Sequence, residues 1–125
     1  MPRGPERFPR RARLLDPEDF RRVFRTGRRL PAGPFVVIVA ENGLDHPRLG
    51  LAVSRRHARR ATARNRLRRI ARESFRRAQR RLPPVDVVVS ARPGAAGAPN
   101  HALFAALERC WDRLARERVR PAPEA

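Results

Sequence analysis

The chain has 125 residues and a formal net charge of +18, from 30 basic residues against 12 acidic ones, with a pI near 12.0. Its length suits one domain, and a 41% apolar content is that of a folded chain rather than a disordered one. A lone cysteine, Cys110, excludes an internal disulfide and a cysteine zinc site, and the longest unbroken apolar run, FVVIVA at 35 to 40, is far too short to span a membrane.

All 30 basic residues are arginine. The planar guanidinium pairs bidentately with phosphate and stacks on bases, which suits RNA. A GC-rich genome would favour the same codons, so the absence of lysine by itself decides nothing. Charge alone would also fit an anionic membrane surface, but the apolar faces described below are better explained as core. The N-terminus has no apolar stretch behind its basic residues, so no secretory signal is expected, and a single cysteine fits a reducing cytoplasm.

Residues 1 to 13 carry three prolines and five arginines around Phe8 and are expected to form a basic tail that orders only where it docks. LLDPEDFRRVFRTG predicts a short helix, with Asp16 as N-cap, Pro17 at the first position, Glu18 and Asp19 at the positive end of the dipole, and Gly27 closing it. Leu15 is placed to staple against Phe20. Phe20, Val23 and Phe24 share one face, by which the helix docks.

PFVVIVAENGLDHPRLGLAVS predicts two strands joined as a hairpin through a loop that holds Asn42, Gly43 and Pro47. In the second strand Leu49, Leu51 and Val53 point one way, and Gly50, Ala52 and Ser54 the other. A sheet face of such small residues lets something other than a packed helix lie close to the backbone. RRHARRATA then leads into a long helix over about 62 to 82. Leu67, Ile70, Ala71, Ser74, Phe75, Ala78 and Leu82 keep the spacing of a core stripe, and Asn65, Arg68, Arg69, Arg72 and Arg76 form the opposite face. Pro83 and Pro84 stop this helix. VDVVVSAR predicts a buried strand, PGAAGAP a flexible loop, and Asn100 the cap of a last helix with an apolar stripe of Leu103, Phe104, Leu107, Trp111 and Leu114. Residues 119 to 125 are expected to fray. The order defines an α/β (α+β) two-layer sandwich over residues 14 to 118, with a strand-helix-strand unit around the arginine helix.

No acidic residue lies between His46 and Arg72, and residues 55 to 69 alone hold eight arginines. Like charges four apart on a helix repel, so Arg64, Arg68 and Arg72 in register need an anion from outside. A solvated charge run is the bland alternative. The core stripe on the same helix favours phosphate binding, and six to eight phosphate contacts would give a log-log salt slope of roughly −4 to −7.

The catalytic inventory is nearly empty. His46, His57 and His101 are scattered, the carboxylates are dispersed rather than converging as a two-metal nuclease requires, and a chain without lysine has no phosphate loop ending in one. Glu73 among arginines reads as an ion-pair partner, and Asp86 starts a strand. No catalytic residue and no metal ligand is predicted. Phe20 and Phe24 admit two readings, core residues or an exposed pair that stacks on unpaired bases, and the pattern alone favours the core.

Four segments in order resemble those of one family. RNRLRRIARESF resembles the Arg-Asn-Arg signature helix of the protein subunit of bacterial ribonuclease P, and RLLDPEDFRRVF, HPRLGLAVSRR and DVVVSAR look like its other recurring segments, over about residues 8 to 118. The resemblance implies a small basic partner of a catalytic RNA, the two together removing the 5′ leader from precursor tRNA in the cytoplasm. It implies one protein per RNA, with Mg2+ held by the RNA, hydrolysis performed there, and no cofactor on the protein. A four-stranded sheet is implied as well, with a short strand near residues 28 to 30. So is a left-handed crossover around the arginine helix, against the usual right-handed rule.

For the residues, the resemblance implies that Arg64, Asn65, Arg66, Arg68, Arg69 and Arg72 face the catalytic RNA. Phe20, Phe24, Val36, Ile38, Ala52, Ser54 and Ser90 would line a leader cleft on the open sheet face, with Arg55, Arg56, Arg59, Arg60 and Arg92 as its basic edge. That moves Phe20 and Phe24 toward the exposed reading. Two departures stand out: some members carry an aromatic residue where this chain has Ile38, leaving only apolar contact there, and HARRATA lacks the glycine that many members place before the helix.

The main alternative is a ribosomal-type or RNA-chaperone protein, which shares the charge but not the cleft beside an Arg-Asn-Arg helix. A DNA-binding regulator is not expected, because no helix-turn-helix spacing precedes the arginine helix and an arginine cluster offers little base selectivity. A free-standing nuclease lacks its carboxylates.

Overall fold

The computed structural model describes residues 10 to 119. In chain order it comprises α1 (Pro17–Thr26), β1 (Arg28–Ala32), β2 (Phe35–Glu41), β3 (Arg48–Ala52), α2 (Ala61–Ala78), β4 (Val85–Ala91) and α3 (Asn100–Val119). Single turns of 3-10 helix lie at Arg10–Ala12, Gln79–Arg81 and Ala95–Gly97.

Asp16 caps α1 as predicted, its carboxylate accepting the Glu18 N–H at 2.9 Å. Gly27 closes the helix through its N–H to the Val23 carbonyl, 2.8 Å away. Only glycine fits there, because a Cβ would lie 2.5 Å from that carbonyl oxygen and 2.8 Å from Ile38. The chain therefore leaves α1 pressed against β2.

The sheet order is β1-β2-β4-β3. This corrects the predicted hairpin: β2 and β3 are not neighbours, and β4 lies between them, antiparallel to β2 and parallel to β3. Val85, Val87, Val88 and Val89 are buried on both faces of β4, so that strand needs the covered centre, while β3 with its small residues suits an edge. A parallel pair needs a crossover, which α2 supplies. The hairpin that does form is β1–β2, turning through Gly33 and Pro34. The short strand near residues 28 to 30 is present and runs to Ala32.

One sheet face carries the main core. Phe35, Val37, Leu49, Val87 and Val89 meet Leu67, Ile70 and Phe75 of α2 and Leu103, Leu107, Trp111 and Leu114 of α3. Every member of the predicted α2 stripe is buried. Ser74 is tolerated in it because its hydroxyl accepts the Trp111 Nε1–H at 2.8 Å. Trp111 also meets Phe75 edge-on, with ring centroids 5.9 Å apart, a geometry worth about 1 kcal/mol beyond burial.

Three local expectations change. The helix over 62 to 82 ends at Ala78 and tightens into the Gln79–Arg81 turn before Pro83. Asn100 does not cap α3: the Pro99 carbonyl accepts from Ala102 and Leu103, and the Asn100 side chain accepts from Arg66. The loop after β4 is not featureless, since Ala95 in its 3-10 turn is fully buried.

On the opposite face a smaller cluster joins Leu14, Val23, Ile38, Ala40 and Val88 under α1. Leu14, 3% exposed, anchors the entry to α1, whereas the predicted staple residue Leu15 is 53% exposed. The Leu14 N–H bonds the Leu49 carbonyl at 2.8 Å and Arg13 bridges to Leu49, so residues 10 to 14 run along the outer edge of β3. Phe8 and residues 120 to 125 lie outside the described residues.

Candidate nucleic-acid interface

The core stripe of α2 forces its remaining positions outward, and those positions are arginine. They divide by what they touch. Arg64 donates from Nη1 to the carbonyls of Ala58 and Arg59, each at 3.0 Å, and so fixes the segment before the helix. Arg66 donates to the Asn100 side chain and to the carbonyls of Ala96 at 2.8 Å and Ala98 at 3.2 Å, tying α2 to the turn before α3. Arg68 has a single long contact, 3.5 Å to Asn65 Oδ1. Arg69 and Arg72 are exposed, and among the described residues no carboxylate pairs with Arg68, Arg69 or Arg72.

The helix begins at Ala61 without a side-chain cap and without an acidic residue in its first turn. Its positive dipole end adds to Arg55, Arg56, Arg59 and Arg60, all exposed. A cleft of about 620 Å³ opens here, lined by Arg56, His57, Arg59, Arg60, Thr62 and Arg66 among others. Its surroundings attract anions.

Register sets out the α1 face of the sheet in rows. Val36, Ser90 and Ala52 are cross-strand neighbours, and all three are half-buried. Ile38, Val88 and Gly50 form the next row, and Ala40, Asp86 and Arg48 the one after it. Two rows lie under α1 and the first remains accessible. Ser54 is exposed just past β3, and Arg92, also exposed, follows β4 with its N–H on the Pro34 carbonyl.

Ile38 departs from expectation. It is 0% exposed, beneath α1 and beside Gly27, so it supports the helix rather than lining an open cleft. The two phenylalanines also separate. Phe20 is half-buried on the smaller cluster, its ring lying across Gly50 so closely that a Cβ there would be 2.7 Å from Cζ. Phe24, at 41% exposed, belongs to neither core cluster. The core reading describes Phe20, and Phe24 is exposed.

The sequence reading missed what holds α1 in place. Asp86 is fully buried and accepts from Arg48 at 2.8 and 2.7 Å, from Asn42 at 3.0 Å, and from Arg22 of α1. Burial pushes its carboxyl upward, but the bonds from Arg48, Asn42 and Arg22 outweigh this and leave its pKa lowered. A lone acid in a valine strand was the available signal, because a buried charge must be paired.

Other acids are answered by arginine too: Glu73 pairs with Arg76 and Arg77, Glu108 and Asp112 with Arg81, and Glu117 with Arg28. Among the described residues no three His, Cys, Asp or Glu side chains group so as to hold a metal ion. No described helix is long and apolar enough to cross a membrane.

A small α+β fold with a buried stripe on one side of a helix and unanswered arginines on the other is that of a basic RNA-binding protein. Comparison with known proteins makes the class specific. The ribonuclease P family model matches residues 8 to 115. The ribonuclease P protein component of Thioalkalivibrio sulfidiphilus is 47% identical over 107 residues, 86% of this chain and 89% of that one. That of Nitrosococcus oceani is 44% identical over 110 residues, 88% and 92% of the two chains. Among solved structures, the RNase P protein of Thermotoga maritima, bound to 1-(4-fluorophenyl)-2-thiourea, superposes with a TM-score of 0.73 at 35% identity, covering 81% of this chain and 98% of that one. The Staphylococcus aureus RNase P protein gives 0.75 at 29% identity, covering 82% and 94%. The chain belongs to the ribonuclease P protein family, as the RNA-binding protein subunit of that ribonucleoprotein.

Proposed function

We propose that this chain binds the catalytic ribonuclease P RNA through Arg68, Arg69, Arg72 and the arginines at 55 to 60, and holds the single-stranded 5′ leader of precursor tRNA on the open sheet face. The observation that carries the reading is the division of α2, buried completely along one side and unanswered by acid along much of the other. Arg64 and Arg66 shape this surface more than they contact RNA, since their guanidinium groups already serve backbone carbonyls. Val36, Ser90, Ala52 and Ser54 form the leader surface, with Phe24 and Phe20 at its border and Arg92 at its edge.

Phosphodiester hydrolysis rests with the RNA, which also holds the magnesium ions. The acids among the described residues support that assignment, because Glu73, Asp86, Glu108, Asp112 and Glu117 are engaged by arginines and no three acids or histidines group so as to hold a metal ion. One protein serves one RNA, in the cytoplasm.

The test is cleavage of a 5′-labelled precursor tRNA at low magnesium by a bacterial ribonuclease P RNA, with and without this protein, beside the protein alone. Stimulation only when both are present is expected. Cleavage by the protein alone would overturn the division of labour, and tight RNA binding without stimulation would point to a chaperone role.

A further inference from the structure

The two proposed RNA surfaces lie on opposite sides of the sheet, α1 over the smaller cluster and α2 over the main core. They meet past the end of β3, where Ser54 leads through residues 55 to 60 into α2, and around the side of the sheet, where β3 is an edge strand. A groove of about 510 Å³ runs there, floored by Gly50 and Leu51, with Leu15 and Phe20 from the α1 side and Arg68 and Arg72 from α2. The bridge from Arg13 reaches Leu49 and goes no further along the strand.

The groove has two chemistries. Leu15, 53% exposed, and the ring of Phe20 seated on Gly50 give an apolar wall. Across from them stand two guanidinium groups one helical turn apart, neither paired with a carboxylate among the described residues. An apolar wall facing paired cations complements a nucleotide, base on one side and phosphate on the other. A duplex keeps its bases stacked inside, so only an unpaired nucleotide can use both walls.

We propose that one unpaired nucleotide of the precursor leader lodges in this groove, so that the leader leaves the open sheet face by crossing the β3 edge onto α2. The proposal rests on the leader-binding reading above and gives that leader a path. Phe20, at the border of the leader surface, lines this groove together with Arg68 and Arg72 of the arginine helix, so the groove lies between the two, which favours the leader over the catalytic RNA as its occupant.

Site-directed photo-crosslinking tests it in the assembled holoenzyme. Cys110 is buried, and burial pushes its thiol up to about 11, so a thiol-reactive crosslinker will attach to an introduced cysteine instead. Leu15→Cys should crosslink to the labelled leader of precursor tRNA and not to leaderless tRNA, with Ser54→Cys on the open face as the comparison. Leader crosslinks from Ser54→Cys but none from Leu15→Cys would overturn the groove and leave the leader surface standing. No leader crosslink from either, with assembly intact, would overturn both. A Leu15→Cys crosslink to the catalytic RNA that persists without precursor would give the groove to that RNA. In parallel, Leu15→Ala should weaken precursor affinity roughly five- to tenfold, the lower part of the range for one base contact. An equal loss for leaderless tRNA would overturn the assignment.

Discussion

Arginine does two different jobs in two regions of this molecule. From Arg55 to Arg72 the chain offers no acid, and Arg68, Arg69 and Arg72 face outward without a carboxylate partner among the described residues. Beyond Arg72 an acid recurs near each contact: Glu73 between Arg76 and Arg77, Glu108 and Asp112 around Arg81, and Asp86 between Arg22 and Arg48. The paired arginines of the second region have their anions inside the chain, whereas Arg68, Arg69 and Arg72 of the first have none among the described residues, as a surface for a polyanion requires. Charge count alone hides this difference, because the residue type is the same; the placement of 12 acids reveals it.

For the stability of the fold, the comparison can be broken most severely at Asp86. Asp86→Ala would remove the buried carboxylate that Arg22 and Arg48 share and leave them, among the described residues, only the carboxylate of Asp19 at 3.5 Å. Because both guanidinium groups are partly exposed, the cost should lie below the roughly 3 to 5 kcal/mol of a fully buried pair, at about 2 to 3 kcal/mol. Thermal and denaturant unfolding should show that loss, together with a loosened α1. The pH dependence has a fixed sign. The folded carboxyl titrates below its ordinary value, so its contribution is present above the unfolded pKa near 3.8 and is lost as pH falls through the folded value. Asp86→Asn should lack that acid-side slope, and a variant as stable as the parent would show that the network is incidental.

Next comes the outward set. Arg68→Ala with Arg69→Ala should weaken holoenzyme assembly by about 3 kcal/mol, two charge-assisted contacts, and flatten the log-log salt slope by roughly 1.4 to 1.8. Stability should stay within about 0.5 kcal/mol of the parent, as for surface changes that break no contact. An unchanged slope would remove this helix from the RNA interface.

How much of this was legible before the structure varies with the range of the interaction. The α2 stripe, the Asp16 cap and the alternation of β3 are local patterns, and each recurs in the fold as read. The pairing of β4 between β2 and β3 is not local. Asn42-Gly43 suggested a hairpin, but six residues separate the strands, and Asn42 bonds instead to His46, Leu44 and Asp86. Of the site, the outward arginines were visible as a run without acids. That Arg64 and Arg66 are turned onto backbone carbonyls, and that Ile38 lies beneath α1, depends on segments far apart in sequence meeting in space.

The aromatic pair sharpens the comparison at intermediate scale. Phe24→Ala should reduce precursor affinity by about 1 to 3 kcal/mol if one base stacks there, with little change in stability, because the ring lies outside both core clusters. Phe20→Ala should lower stability as well, since its ring covers Gly50. Precursor and leaderless tRNA titrated side by side separate the two, and equal losses for both ligands would take Phe24 out of the leader contact.

The smallest effect should come from Arg77→Ala, and its smallness is informative. Arg77 bonds Glu73 at 3.1 Å with most of its side chain in solvent, and an exposed pair four apart on a helix contributes about 0.3 to 0.5 kcal/mol. Arg76 keeps Glu73 occupied, and that hydrogen bond is the main reason its carboxyl titrates below its ordinary value, so no stranded charge is left behind. RNA affinity should keep its salt slope, because this guanidinium already has an anion inside the chain. Arg69 is exposed on the same helix and lacks only that partner. A slope flattened by a whole phosphate contact in Arg77→Ala would mean that an internal carboxylate does not withhold an arginine from RNA, and the boundary at Arg72 would dissolve.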